Sequence, residues 1–314
     1  MVPATRACLS TSAVEGGDAA LVSRRAVQTD AQWERIAPLL PSDVGKPGRR
    51  FRDHRQVVEG IVYRYRTGVA WRDLPAEFGP WQTVWKRHAR FSRHGTWDNV
   101  LTSLLTQADA AGEIDWAVSI DSTINRAHQH AATLPRATGA NANHKNQVSE
   151  PADHAIGRSR GGLSTKIHHA VDGRGRPLAV LVGPGQGGDA PMCLPVLNAI
   201  RVPRLGPGRP RTRPDSVLAD KAYSSRAIRT ELRRRGIVAV VPEPRDQQGN
   251  RKRRGSRGGR PVTYDIDAYR GRNVVERSFN ALKHWRGLAT RYDKLAITYR
   301  GGAVLAAIIV WLRD

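Results

Sequence analysis

The sequence predicts an α/β protein: a mixed sheet flanked by helices, preceded by a small all-α unit of helix-turn-helix type. Three observations carry this expectation. Apolar residues recur at helical spacing from Thr29 to about Ala110, short apolar strand-like runs begin at Ile114, and from there strands alternate with helices.

Thr29 and Gln32 form a capping-box pattern, and Trp33, Ile36, Leu39 and Leu40 follow at helical spacing until Pro41. After a basic linker, Asp53 caps a second helix in which Val57, Ile61 and Tyr65 share a face and which Gly68 ends. Pro75, Gly79 and Pro80 break the chain before a third helix over 81–92, and a fourth covers 96–110. The third carries Lys86, Arg87, His88 and Arg90; as the basic helix of such a unit it can enter a major groove, so Lys86, Arg87 and Arg90 are expected DNA contacts. An ordinary helical bundle with a solvated basic face has the same pattern. The run 114–120 then reads as a strand ending on Asp121, and 163–171 with 177–182 as a hairpin turning at Asp172-Gly173-Arg174-Gly175. A helix over 190–200, a strand over 216–219 ending on Asp220, a helix over 225–235, a strand over 237–241, a basic loop and a long helix over 267–287 complete the series.

Lys and Arg number 51 against 28 Asp and Glu in 314 residues, a net charge of +23. A field of that sign and size gathers polyanions, most commonly nucleic acid. Residues 201–260 hold 18 cations and 5 anions, more than half of the excess. Arg251-Lys252-Arg253-Arg254 is the densest cluster, able to track phosphates, though a run of this kind without a partner is also simply a solvated loop. Cys8 and Cys193 are too few for a disulfide framework or a cysteine zinc site, which fits a reducing cytoplasm. No apolar run reaches the roughly 20 residues of a bilayer span, and 303–312 reads as a buried helix end. Arg24-Arg25 is followed by hydrophilic residues where an export signal needs an apolar stretch, so no export and no membrane partner are expected.

Asp121 and Asp220 each end a short apolar strand, where open α/β sheets keep their sites. Two carboxylates there repel unless a cation sits between them, and Mg²⁺ takes carboxylate, phosphate and water oxygens. An acid at a strand end is also a common turn former. In the last helix Tyr269, Arg272, Glu276 and Lys283 fall within a stripe of about 60° at about 100° per residue. Glu276 can complete a metal site while Arg272 and Lys283 contact phosphates; the same stripe is also a solvated face with an Arg272–Glu276 ion pair. Val274, Val275, Phe279 and Leu282 on the other side are expected to pack on the sheet.

With Asp121 in Ser119-Ile120-Asp121-Ser122-Thr123, Asp220 in Leu218-Ala219-Asp220-Lys221-Ala222-Tyr223, and the spacing Y-x2-R-x3-E-x6-K, the chain resembles the DDE transposases of bacterial insertion sequences over residues 29–312. Trp71-Arg72-Asp73-Leu74-Pro75 and Phe78-Gly79-Pro80-Trp81 resemble the helical domain that precedes the catalytic domain in one branch. The resemblance implies a ribonuclease-H-like fold and an enzyme that binds terminal inverted repeats, cleaves the element's ends and joins the freed 3′-OH to target DNA. It also implies catalytic, metal-binding Asp121, Asp220 and Glu276 with two Mg²⁺ ions, for which Mn²⁺ substitutes. Tyr269, Arg272 and Lys283 then hold DNA near the cut, and a homodimer pairs two ends. The expected organisation is a disordered extension over 1–28, a helical DNA-binding domain over 29–112, and a catalytic domain over 113–314 with a basic loop at 244–262. Stretches 132–150 and 247–259 are irregular for such a chain. A DNA-binding regulator without catalysis and a non-joining metal nuclease of the same fold are the alternative readings.

Other motifs carry less. His128-Gln129-His130 lacks the apolar middle residue of paired-histidine nicking enzymes. His168 and His169 in one strand point to opposite faces and cannot share a metal. The segment 183–188 lacks the Lys-Ser/Thr of a phosphate loop, so no nucleotide cofactor is expected.

Overall fold

Side chains near the start of the chain satisfy the first amides of its helices. In α1 (Asp30–Ile36) Thr29 Oγ1 accepts from the Gln32 amide at 3.2 Å and Gln32 Oε1 accepts from the Thr29 amide at 3.0 Å, a completed capping box. Asp53 Oδ1 accepts from the Arg55 amide at 2.6 Å to start α2 (His54–Thr67), and Gly68 ends it at φ +76°, returning its N–H to Arg64 O. α3 (Trp81–Arg93) and α4 (Thr96–Ala110) follow. The computed structural model describes residues 28–45, 50–134 and 150–313. Residues 1–27 of the expected extension and most of 132–150 lie outside them.

The sheet is β1 (Ala117–Ala127), β2 (Gly157–Ser159), β3 (Gly162–Val171), β4 (Pro177–Pro184), β5 (Ser216–Leu218), β6 (Val238–Val240) and β7 (Thr290–Arg291). Its main path runs β2-β3-β1-β5-β6, with β4 on β3 and β7 on β1. β2, β3, β4 and β1 pair antiparallel, whereas β5, β6 and β7 join parallel, so the sheet is mixed, as the sequence predicts. α5 (Ala190–Ala199) packs on β3 and β4, and α6 (Arg226–Arg234) follows β5.

Three expectations change. β1 does not end at Asp121: its parallel pairing with β5 stops at Ser119↔Leu218, but its antiparallel ladder with β3 continues to Arg126↔Ser164. Part of the basic loop 244–262 is a helix, α7 (Arg245–Arg253), with Asp246 in its first turn and Arg251, Lys252 and Arg253 in its last, charges that complement the helix dipole. The long helix over 267–287 is three pieces, α8 (Ile266–Arg270), α9 (Asn273–Lys283) and α10 (Arg286–Ala289). Three-residue hydrogen bonds, from Gly271 to Ala268 and from Arg272 to Tyr269, break the first junction and place Tyr269 on a separate helix from Glu276.

The last helix, α11 (Ala296–Trp311), is almost wholly buried and packs on α3, α4 and β4, so one apolar core runs from Ile36 to Leu312. A Cβ at Gly302 would overlap the Tyr65 ring, so glycine is what lets α11 approach α2 this closely. Glu150 caps α11 from afar, accepting from the Ala296 and Ile297 amides at 2.8 and 3.1 Å. Arg300 ties β4 to α4, donating to Val180 O and pairing with Asp98 at 2.6 Å. Between α2, α3 and α11 lies a buried polar network. Arg64 pairs with Asp293 at 3.2 Å and stacks beside Trp71, while Tyr65 donates to Asp293 Oδ2 at 3.1 Å. The Trp97 indole donates to His88 Nδ1 at 3.2 Å, which leaves the Nε2 proton of a neutral His88 for Thr298 O at 3.0 Å.

Burial pushes His88 and His168 down to about 4 and His169 to about 3, from an ordinary 6.5. The unfolded chain therefore binds more protons between these values and pH 6.5, and stability falls as pH drops through that window. Denaturation midpoints are expected to decline from pH 6.5 to 4, and less steeply in His169→Leu, which removes one of the three titrations.

Candidate active site

The parallel pairing of β1 with β5 aligns two acids. Ser119 pairs with Leu218, and Asp121 and Asp220 each stand two residues further on. They occupy the same register on neighbouring chains where the ladder between them has ended. Asp121 accepts from the Ser122 amide at 2.8 Å, and Asp220 caps a single 3₁₀ turn by accepting from the Ala222 amide at 2.9 Å. Burial raises the Asp121 carboxyl above its usual range. The charges of Asp220 and Asp189 push the same way, against the Ser122 amide and Arg272.

Arg272, at the start of α9, is the countercharge. It donates from Nη1 to Asp121 Oδ2 at 3.0 Å and from Nη2 to Glu276 Oε1 at 2.9 Å. Burial works against its charge, but Tyr269, Asp121 and Glu276 outweigh this and hold the guanidinium pKa up. Its side chain is 15% exposed against 57% for Glu276, so Arg272 is the inner member of the pair and Glu276 the outer one. α9 reaches this place because Val274, Val275, Phe279 and Leu282 are buried, with Phe279 stacked 4.8 Å from the His169 ring on β3. His169 pairs with Asp121 across the ladder, so α9 covers the sheet face from which Asp121 projects.

The opposite face carries residues that spacing alone did not single out. Ser122 Oγ donates to Asp189 Oδ1 at 2.6 Å, and Lys166 Nζ, largely buried on β3, donates to the same oxygen at 2.7 Å and to Gly187 O at 2.8 Å. The clue was a lysine in the middle of a strand, which once buried needs an acid within reach. Segment 183–188, read as a turn between strand and helix, supplies that reach. Tyr223, buried beside Asp121, Asp189 and Asp220, has a hydroxyl with no hydrogen-bond partner among the described residues, and burial raises its pKa.

The expected DNA contacts divide. Lys283, Lys86, Arg90, Lys252, Arg253 and Arg254 are exposed. Tyr269 is half-buried, its ring edge-on to Tyr264 at 5.6 Å. Arg251 pairs with Glu243. Arg87 is a correction: it is buried, its guanidinium 3.9 Å over the Phe51 ring and bonded to His54 Nδ1 at 2.9 Å, so it packs the helical region instead of facing solvent. The helix turns that side inward because Val84, His88 and Phe91 share it.

The donor set fits a hard divalent cation in part. Asp121 and Asp220 offer oxygen ligands at one register, and their mutual repulsion is what a cation relieves. Among the described residues, however, no three His, Cys, Asp or Glu side chains converge on one ion position, and Glu276 is paired with Arg272 instead. Arg272→Met leaves these acids without their cation. The variant is expected to lose about 1–3 kcal/mol of stability at pH 7, with the difference from the parent chain shrinking on acidification as Asp121, whose carboxyl burial holds above its usual range, protonates, measured by denaturant unfolding.

Comparison with known proteins places the sequence in a family. The model described as "Transposase DDE domain" matches residues 113–311, and the one described as "Putative transposase of IS4/5 family" matches residues 29–101. The "Putative transposase for insertion sequence element IS6501" of Brucella ovis is 30% identical over 155 residues, covering 48% of this chain and 100% of that protein. The "Putative transposase for insertion sequence element IS402" of Burkholderia cepacia is 33% identical over 132 residues, 42% of this chain and 55% of that one. The "Uncharacterized protein y4sN" of Sinorhizobium fredii is 40% identical over 111 residues, 35% of this chain and 84% of that one. No solved structure matches. The resemblance expected from the motifs is borne out: the chain belongs to the bacterial DDE transposases of the IS4/5 family, enzymes that act on DNA with a ribonuclease-H-like catalytic fold.

Proposed function

We propose that this transposase binds the terminal inverted repeats of its element, cleaves the DNA at each end, and joins the freed 3′-OH to a target phosphate. The observation that carries this is the shared register of Asp121 and Asp220, with Arg272 linking Asp121 to Glu276. In cleavage, water attacks the scissile phosphorus and the 3′ oxygen leaves. In joining, that 3′-OH attacks a target phosphodiester and displaces its 3′ oxygen, so neither step needs a covalent protein intermediate.

Asp121, Asp220 and Glu276 are the proposed holders of two Mg²⁺ ions, with Mn²⁺ as substitute. When bound, these ions supply Lewis-acid stabilisation of the phosphate oxygens and activation of the nucleophile. The chain's own part is positional. The Ser122 amide fixes one oxygen of Asp121, the 3₁₀ turn after β5 fixes Asp220, and Arg272 holds Asp121 and Glu276 on one guanidinium until a DNA phosphate competes for it. Tyr269 on α8 and Lys283 on α9 are the proposed contacts to the strand being cut. Residues 29–112 are proposed to read the repeats through the exposed Lys86 and Arg90 of α3, and α7 with Arg254 to follow target or flanking phosphates. A homodimer would pair the two ends.

Asp121→Asn, Asp220→Asn and Glu276→Gln are each expected to lower Mg²⁺-dependent cleavage of duplexes carrying the element's ends by about 10³-fold or more, with duplex affinity kept within about twofold. Cleavage by the parent chain without joining of 3′ ends to target DNA would replace the transfer reading with that of a nuclease. Lys252→Ala, Arg253→Ala and Arg254→Ala together are expected to flatten the dependence of log K on log salt by up to about 3, one for each lost phosphate contact, read by titration at several salt concentrations.

A further inference from the structure

Seven residues beyond Asp121, about 23 Å along the strand, β1 delivers His128 to the wall of a cavity of about 950 Å³. Its other walls come from the turn after α2, the outer face of α3 and the segment between β7 and α11. It lies well away from the acids, and the His128-Gln129-His130 motif, left without a role above, forms part of it. Among the described residues, seven large hydrophobic side chains remain exposed. Two of these are aromatic, Trp85 at 40% and Tyr292 at 38%, and both line this cavity. His128 lies over the Tyr292 ring at 4.6 Å and 29°, which extends the planar surface.

The charge around these rings is of one sign. Arg93 and Lys294 are exposed in the lining, and among the described residues neither pairs with a carboxylate. The lining's acid, Asp293, is consumed inward by Arg64 and Tyr65. Flat aromatic faces beside unpaired cations suit a ligand with planar rings and a polyanionic backbone. A recess of this kind admits a base turned out of its stack, whereas paired bases in a duplex keep their faces inside.

Resting on the reading of this chain as a DNA strand transferase, we propose that the cavity is a second DNA site: it takes unstacked bases of a single-stranded segment on Trp85 and Tyr292, while Arg93 and Lys294 hold the neighbouring phosphates. Its place on the continuation of β1 makes it a rest for the strand that leaves the acids after cleavage.

The test uses the full chain with an oligothymidylate probe, read by fluorescence anisotropy, and with a 5-iodouracil version for photocrosslinking. Trp85→Ala and Tyr292→Ala are each expected to weaken oligothymidylate binding about 5- to 150-fold while duplex affinity changes less than about twofold, and Trp85→Phe to restore most of the loss. Crosslinks are expected on Trp85 or Tyr292. Unchanged oligothymidylate affinity in both alanine variants, or crosslinks confined to residues 245–254, would overturn the proposal and leave the cavity to a protein segment. Mg²⁺-dependent end cleavage by the parent chain is run in parallel. Its absence alongside Trp85-dependent oligothymidylate binding would sink strand transfer and spare the cavity, and the reverse pattern would do the opposite.

Discussion

Two negative charges set side by side are the constraint from which the catalytic half of this protein follows. Backbone pairing between β1 and β5 places Asp121 and Asp220 at one level whatever their side chains prefer, because the ladder is fixed by Val118, Val217 and their neighbours in the core. Partial burial then makes the repulsion expensive. The fold's response is Arg272, delivered by a helix whose apolar side is clamped to β1 and β3. Opposed charges, two acids on Arg272 and a third beside them, are thus set against one another by the fold itself.

A second constraint acts where the helical region meets the sheet. α11 belongs by sequence to the catalytic part, yet it packs on α3 and α4 as well as β4. Its buried partners Tyr65, His88 and Asp293 form hydrogen bonds that span both regions. A polar network this enclosed is costly if any member loses its partner, so it fixes one arrangement of the two regions rather than many.

Much of this was legible in the sequence where a local rule had no competitor. Thr29 with Gln32, Asp53 with Gly68, and the turn at Asp172 all determine their elements through a few neighbouring atoms, and the observed elements begin and end there. Legibility failed where long-range pairing decided. Asp121 looked like a strand end because polarity rises there, but the ladder with β3 carries the strand past it. The helical stripe of Tyr269, Arg272, Glu276 and Lys283 gave the correct neighbours for Arg272 and Glu276, which are four residues apart, and misplaced Tyr269 because the break at Gly271 lies between. Arg87 was invisible as a core residue, since a cation buried by stacking on Phe51 has no signature in a helical pattern. Asp189 and Lys166 needed three-dimensional proximity, as they sit 23 positions apart in the chain.

The glycine at 302 has a wider consequence. By letting α11 seat directly against Tyr65, it removes the slack that a linker between two domains normally provides. The basic helix α3 on one side of such a joint and the pair Asp121 and Asp220 on the other are then held at a constant separation, as the jaws of a locked caliper are. On the proposed reading of this chain, the distance from the repeat contacts to the scissile bond is then a property of the polypeptide itself, set when the chain folds.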